Sequence, residues 1–196
     1  MVELILAMAV FSLILLVIVA GFLNIIRYYE SGLAIRDTQQ NTRFGIDSIV
    51  RDARTAYNVA VTPQGAPPFR NDVICLDESG NTIVYYVNTA ANSGLYKATL
   101  PPNSAGSSCA VPPSGQPVSS NNVAVVELMA SANNGNSPQS LSINVLALAP
   151  LQALQSSLID ENTSTGDPEC KPQAGGDRFC SVTILSSSVS LQGSQP

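Results

Sequence analysis

The residues that could carry acid–base or nucleophilic chemistry form no catalytic set in this sequence. The chain of 196 residues has no histidine, which is the commonest general base and metal ligand. Its many serines therefore have no histidine partner, and no glycine-rich phosphate-binding loop is present. The paired acids Asp77-Glu78 and Asp160-Glu161 fall in predicted turns. We therefore expect a protein that is not an enzyme and that needs no cofactor.

The acidic segment 160–169 has part of the spacing of a calcium-binding loop. Oxygen-bearing side chains alternate from Asp160 to Ser164, as calcium ligands do. The glycine that such a loop requires falls one place late, at Gly166, and Lys171 occupies the position of the closing bidentate glutamate. The spacing therefore favours an acidic surface loop, and no metal ligand is predicted.

Four cysteines, Cys75, Cys109, Cys170 and Cys180, could bind a metal or form cross-links. None of them forms the C-x-x-C spacing typical of zinc sites. In a chain with a membrane-spanning start and an external head, such cysteines indicate two disulfides. Of the three pairings that four cysteines allow, we predict Cys75–Cys109, which spans one hairpin region, and Cys170–Cys180, which closes a short glycine-rich loop.

Charge is unevenly distributed along the chain, whose net charge is −5. Residues 1–61 hold five arginines and five acidic residues, whereas residues 62–196 hold four basic and nine acidic residues. Nucleic-acid binding through phosphates requires lysine and arginine. We therefore expect no direct nucleic-acid binding by the acidic part of the chain.

The candidate residues are organised around the N-terminal segment Leu4 to Ile26, which contains no charge and only two polar side chains, Ser12 and Asn24. As an α-helix it would be about 34 Å long, enough to cross a bilayer core of ~30 Å. A secretory signal peptide is the alternative, but such apolar regions are usually shorter. Glu3 lies at the start of the run, where a carboxylate is costly in lipid unless it is paired. The segment is either a plain membrane anchor or a helix that packs against copies of itself.

The pattern becomes amphipathic over residues 27–61. Apolar residues recur at three- and four-residue steps, which place them on one face of a helix: Ile46, Ile49, Val50, Ala53, Ala56 and Tyr57. No proline occurs before Pro63. The sequence therefore predicts one helix from about residue 2 to 60. Its first part, residues 1–26, is apolar all round, and its second part, residues 27–61, packs one face on a sheet.

Residues 62–196 are predicted to form a globular head. β-Branched and aromatic runs predict strands at 73–76, 82–87, 95–97, 123–129, 141–148 and 179–189. Turns are predicted at 77–81 and 133–138, a loop held by a cysteine at 101–122, and a short helix at 151–158. The predicted fold class is α+β, with a long N-terminal helix on a mostly antiparallel sheet of four or five strands and two disulfide-pinned loops.

The start MVELILAMAVFSLILL resembles the N-terminal segment of type IV pilins and of the pseudopilins of type II secretion. The family usually has four residues before the glutamate, and here Met1 and Val2 precede Glu3. The resemblance implies that Glu3 pairs with the terminal amine of a neighbouring subunit. It also implies that Leu4 to Ile26 forms the core of a filament.

Two further stretches are similar to W-type minor pilins and J-type pseudopilins. Residues 39–56 match a pattern of those proteins at Gln40, Arg43, Ile46, Ile49, Arg51, Asp52, Arg54 and Ala56. In the head, IVYYV is followed by GLYK in the order typical of those proteins. Lys97 stands where they usually have arginine, and Ser186-Ser187 where Arg-Asn often follows the last strand.

The resemblance implies a structural subunit of a type IV pilus or pilus-like filament that serves adhesion, motility, DNA uptake or secretion. Such a subunit waits in the inner membrane until an assembly platform and its ATPase system extract it. It then packs helix to helix with other pilin subunits in an extracellular pilus or a periplasm-spanning pseudopilus. The alternatives are a major pilin and a single-pass membrane-anchored extracellular binding module. Glu3 separates the last alternative, because Glu3→Ala should weaken assembly but leave a plain anchor unharmed.

Overall fold

The computed structural model describes residues 2–64, 70–88, 93–102, 109–133, 139–150, 159–161, 168–170 and 182–191. These residues form one α-helix, α1 (Val2–Thr55), and ten strands. The strands are β1 (Asn58–Thr62), β2 (Val73–Glu78), β3 (Asn81–Asn88), β4 (Gly94–Leu100), β5 (Gln116–Pro117), β6 (Val123–Asn133), β7 (Ser140–Pro150), β8 (Ile159–Glu161), β9 (Pro168–Cys170) and β10 (Thr183–Ser190). The predicted α+β class, a long N-terminal helix packed on antiparallel β-structure, is confirmed.

The long helix ends at Thr55, so the prediction that it continues to about residue 60 is wrong. The amide of Ala56 still donates to the carbonyl of Asp52, but the amide of Tyr57 donates to the carbonyl of Asp77. Residues 58–62 then pair antiparallel with β2. Their sequence, NVAVT, is rich in β-branched residues, which pack well on a sheet, and a neighbouring strand supplies the hydrogen bonds.

The first sheet is an antiparallel meander in the order β1-β2-β3-β4-β5. The predicted strands at 73–76, 82–87 and 95–97 are confirmed within β2, β3 and β4. The turn between β2 and β3 contains Gly80 at φ 113°, a left-handed conformation that glycine adopts without steric cost. The sequence patterns missed β1 and the two-residue β5.

A second antiparallel sheet has the order β10-β7-β6, so the prediction of a single sheet of four or five strands is wrong. The edge of β6 that does not pair with β7 forms backbone hydrogen bonds with residues that lie just before β2 and β4 of the first sheet. The amide of Leu128 donates to the carbonyl of Arg70, the amide of Asp72 to the carbonyl of Leu128, and the amide of Val125 to the carbonyl of Ser93. These local bonds join the two sheets without one continuous strand ladder. β8 and β9 pair separately.

The main core lies between the amphipathic half of α1 and the two sheets. Ile49 and Ala53 of the helix are fully buried in it. The helix passes close to the strands at Gly45, where an added Cβ would lie 3.2 Å from Leu95 Cδ2 and 3.3 Å from Leu146 Cδ2. A smaller apolar cluster around Cys75 and Cys109 packs on the opposite face of the first sheet.

Several predictions fall on parts of the chain outside the described residues. They are the turn at 134–138, the short helix at 151–158 and the centre of the acidic segment at 162–167. The predicted last strand is found as β10, with residues 179–181 outside the description. The predicted Cys170–Cys180 pair also lies outside it, because only the backbone of Cys170 is described.

Candidate assembly helix and its attachment to the head

The described side chains in the first half of α1 are not buried by the head. Every described side chain from Glu3 to Ile26 is exposed, and Ile26 is the least exposed large apolar side chain among them, at 37%. Leucine, isoleucine, valine and phenylalanine supply most of this surface. By length and composition the helix can cross a membrane. A continuous apolar surface of this size marks a site that contacts lipid or protein.

Glu3 lies in the first turn of α1, where an acidic side chain also interacts favourably with the helix dipole. It stands at one end of an exposed apolar face of the helix that includes Leu6, Ala7, Val10, Phe11 and Ile14. The ion pairs found among the described residues all lie in the head or the second half of α1. Glu3 is therefore a carboxylate placed beside apolar surface, with no described cation paired to it.

The predicted sheet-packing face of the second half of α1 is largely confirmed. Ile46, Ile49, Ala53 and Ala56 are buried, and Val50 packs at the margin of the core. The sixth predicted member, Tyr57, is 39% exposed because it follows the end of the helix.

A buried polar cluster joins this helical face to the first sheet. Lys97 Nζ of β4 lies 2.5 Å from Asp52 Oδ2. The hydroxyl of Tyr85 on β3 donates to the same carboxylate oxygen over 2.5 Å. Ser48 Oγ, one helical turn before Asp52, lies 2.9 Å from the Tyr85 hydroxyl. We call these four residues the helix–sheet clamp.

The electrostatics of the clamp keep Tyr85 protonated. Burial raises the pKa of Tyr85, and its hydrogen bond to Asp52 raises that pKa further. The Lys97 ammonium also lies 5.8 Å from the centre of the Tyr85 ring. A tyrosine that holds its proton this firmly donates a hydrogen bond and does not act as a base at neutral pH. The arrangement therefore attaches the helix to the sheet.

The clamp brings together residues from the two stretches that carried the narrower resemblance. Asp52 belongs to the helical pattern at 39–56, and Lys97 ends the GLYK stretch. Other members of the helical pattern divide by face: Ile46, Ile49 and Ala56 are buried, whereas Gln40, Arg43, Arg51 and Arg54 are exposed. No sequence pattern predicted the contact itself, beyond the presence of a lysine in a mainly apolar strand.

A second buried carboxylate, which the sequence did not single out, connects the two sheets. The side chain of Asp72 is fully buried and accepts two hydrogen bonds from Arg70, of 2.6 and 2.7 Å. It also accepts a bond of 2.9 Å from the amide of Ala130 on β6. The bidentate pair satisfies the buried charge, and the third bond fixes β6 beside the entry to β2.

The two pairs of neighbouring acids that were considered for catalysis lie in strands, and the first pair accepts hydrogen bonds from nearby side chains. Asp77 and Glu78 end β2 and do not lie in the turn that was predicted for them. Asp77 accepts bonds from Thr82 Oγ1 at 2.6 Å and from Asn58 Nδ2 at 3.1 Å, and Glu78 accepts one from Thr55. Asp160 and Glu161 lie in β8, which also corrects the predicted turn. Within the described part of the chain, no three potential metal ligands converge.

The predicted Cys75–Cys109 disulfide is confirmed, with an S–S distance of 2.00 Å and a Cα–Cα distance of 5.9 Å. It holds the segment that follows Cys109 against the outer face of the first sheet. The segment lies close to the first sheet at Gly115, where an added Cβ would lie 2.7 Å from the Tyr86 hydroxyl and 2.9 Å from the carbonyl oxygen of Lys97.

Comparison with protein-family models, with curated proteins and with solved structures finds no match to this chain.

Proposed function

We propose that this protein is a structural subunit of a type IV pilus-like filament, of the minor-pilin or pseudopilin kind. Before assembly, Leu4 to Ile26 hold it in the inner membrane. During assembly the same segment packs against the helices of other subunits, and the head faces outward in a pilus or a pseudopilus. An assembly platform and its ATPase system would supply the work of extraction.

The observation that carries the proposal is the division of one continuous helix into two environments. The side chains of residues 4–26 are exposed and, apart from Ser12 and Asn24, apolar, whereas Ile49 and Ala53 of the same helix are fully buried in the head. About 34 Å of uncovered apolar helix cannot remain in water, because each buried apolar side chain of this size gains roughly 1.5–3 kcal/mol. Lipid before assembly and other helices after assembly both satisfy this requirement.

The attachment of the helix to the head supports the same proposal. A force that pulls the helix out of the membrane moves the head with it only when the helix and the head are firmly attached. Asp52 joins the helix to Lys97 and Tyr85, and Asn41 Oδ1 accepts a bond of 2.9 Å from the amide of Ser120. These contacts add directional bonds to the apolar packing and fix the rotation of α1 on the sheets.

Glu3 distinguishes filament assembly from simple anchoring. In a bundle of such helices, a carboxylate beside apolar surface is costly unless a cation pairs with it. The terminal amine of a neighbouring subunit is the cation that the proposal assigns to Glu3. A single-pass membrane-anchored binding module would need no such cation.

Electron microscopy of filaments sheared from the source cells, with mass spectrometry of their subunits, tests the proposal. We expect this chain in the sheared fraction, in trace amounts for a minor subunit. Abundance there would identify a major pilin. If the chain stays wholly in the membrane fraction of cells that make filaments, the pilus proposal fails.

Substitution at Glu3 supplies the matched comparison. Glu3→Ala should remove the chain from the sheared fraction without lowering its level in the membrane. Glu30→Ala, which changes an exposed acid on the same helix beyond the apolar segment, should leave incorporation unchanged. Normal incorporation of the Glu3→Ala variant would show that filament assembly does not need the Glu3 carboxylate.

A further inference from the structure

Two adjacent tyrosines stand at the head-side end of the apolar segment. Tyr28 and Tyr29 are 70% and 68% exposed, and they follow Ile26, the last residue of the uncharged run, by two and three residues. At ~1.5 Å per residue they lie about 3–5 Å beyond that run. When the run fills a hydrocarbon core of ~30 Å, both tyrosines therefore fall in the headgroup layer.

Within the described residues, the helix stays largely exposed for two turns after the tyrosines. From Glu30 to Asp37 the described side chains are exposed or half-buried, and the first buried side chain of α1 is Thr38. Thr38 lies about 14 Å beyond Tyr29 along the helix axis. The contact of α1 with the head thus begins above the level at which lipid headgroups would surround the helix.

The order of the aromatic side chains favours lipid as the partner at this level. Phe11 and Phe22, which have no polar atom, lie within the apolar segment, and the two aromatic side chains with hydroxyl groups lie at its end. The hydroxyl of Ser12, inside the segment, donates to the carbonyl of Met8 on the same helix. A bilayer imposes this order, because its core rejects a hydroxyl and its interface accepts an aromatic ring with a polar tip. Packing against a second protein helix imposes no such order.

We infer that Tyr28 and Tyr29 form an interfacial collar that binds the lipid headgroup layer and sets the depth of the helix before assembly. The inference rests on the proposed membrane stage. The rings pack against the glycerol region, and the hydroxyl groups donate hydrogen bonds to phosphate and ester oxygens.

The absence of tryptophan from the sequence allows a direct depth measurement. We would place the full-length Tyr29→Trp protein in vesicles of phosphatidylcholine and phosphatidylglycerol with bromine near the headgroups or deep in the acyl chains. Phe22→Trp reports the bilayer interior, and Phe44→Trp reports the exposed side of the helix beside the head. The ratio of shallow to deep quenching should exceed one for Tyr29→Trp and fall below one for Phe22→Trp. Neither bromine position should quench Phe44→Trp.

The outcomes separate the collar from the membrane stage. If Phe22→Trp is quenched but Tyr29→Trp is quenched mainly by deep bromines, or by none, the collar is wrong and the membrane stage stands. If the protein forms oligomers that persist in detergent, and if these oligomers shield Tyr29→Trp from both bromine positions, Tyr29 packs against a second copy. That result would also overturn the collar. If no variant is quenched, the membrane stage and the proposed function fail together.

A second variant tests the collar without tryptophan at its own positions. Tyr28→Ala with Tyr29→Ala, in the Phe22→Trp background, should change the shallow-to-deep quenching ratio because the helix is no longer held at one depth. Tyr28→Phe with Tyr29→Phe should produce a smaller change, since the rings remain and only the hydroxyl groups are lost. An unchanged ratio in the double alanine variant would overturn the inference.

Discussion

The ammonium group of Lys97 lies 2.5 Å from Oδ2 of Asp52, across the boundary between the first sheet and the long helix. The two residues are 45 positions apart in the sequence. Their side chains are 31% and 11% exposed, so the pair is shielded from water on the Asp52 side and partly open at Lys97. Tyr85 bonds to the same carboxylate oxygen. One carboxylate thus connects α1, β3 and β4.

Asp52→Asn should destabilise the head because it removes the charge that Lys97 and Tyr85 share. We expect the free energy of unfolding to fall by about 2 kcal/mol, less than for a wholly buried ion pair because Lys97 remains partly solvated. Urea unfolding of the full-length protein in detergent, followed by circular dichroism, measures the change. Asp47→Asn removes an exposed carboxylate from the same helix and should change stability by less than ~0.5 kcal/mol. Equal effects of the two substitutions would contradict the clamp.

Tyr85 predicts a loss of stability at alkaline pH. Its pKa is raised in the folded protein, first by burial and then by the bond to Asp52, so the unfolded chain loses this proton at lower pH than the folded one. The stabilisation is complete below the unfolded pKa of about 10 and is lost as pH rises above it. Urea midpoints measured across this range should fall more steeply for the natural protein than for Tyr85→Phe.

Tyr86 should also contribute to the loss of stability at alkaline pH, because burial raises the pKa of Tyr86 as well. We therefore expect the Tyr85→Phe variant to keep part of that loss. The double substitution Tyr85→Phe with Tyr86→Phe should therefore flatten the profile further. An alkaline slope that neither substitution changes would show that other groups control it.

Gly115→Ala should disturb the segment held on the outer face of the first sheet. The new methyl group would meet the Tyr86 hydroxyl at 2.7 Å and the Lys97 carbonyl oxygen at 2.9 Å, and the second of these is backbone that cannot move alone. We expect a cost of about 2 kcal/mol, typical of overpacking, measured as a lower urea midpoint. Ser114→Ala, at the exposed neighbouring position, should leave the midpoint unchanged.

Loss of the Cys75–Cys109 disulfide should destabilise the head strongly. The bond closes a loop with a sequence separation of 34, for which chain entropy predicts about 4 kcal/mol. The Cys75→Ala, Cys109→Ala protein should therefore unfold at a lower urea concentration than the natural protein under oxidising conditions. Reductant should then have less effect on this variant than on the natural protein. An unchanged midpoint in the variant would contradict a stabilising role for the bond.

Phe44 should matter for assembly and not for folding. Its side chain is 58% exposed, and it lies 18 residues after Ile26, five helical turns, on the same side of α1. If other subunits pack along this side, Phe44→Glu should reduce incorporation into sheared filaments and leave the urea midpoint within ~0.5 kcal/mol of the natural value. Gln40→Glu adds the same charge one turn away and serves as the control. If both variants lost incorporation equally, the added negative charge would explain the loss and not the removal of the Phe44 ring.

Local patterns in the sequence determined the long helix with its uncharged segment Leu4 to Ile26 and the main antiparallel strands. They could do so because the spacing of apolar residues, the β-branched runs and the turn residues act over a few neighbouring positions. The assembly role of Glu3 and the type of filament remain predictions.

The tertiary structure alone decided the end of α1 at Thr55, the division of the head into two sheets and the meeting of Asp52 with Lys97. Ala56 and Tyr57 continue the helical spacing, so only the bond from Tyr57 to Asp77 of β2 reveals where the strand begins. The clamp forms between residues distant in sequence. The helical spacing that buries Ile49 and Ala53 fixes which side of α1 faces the sheets, and only the packed sheets bring a cation to Asp52.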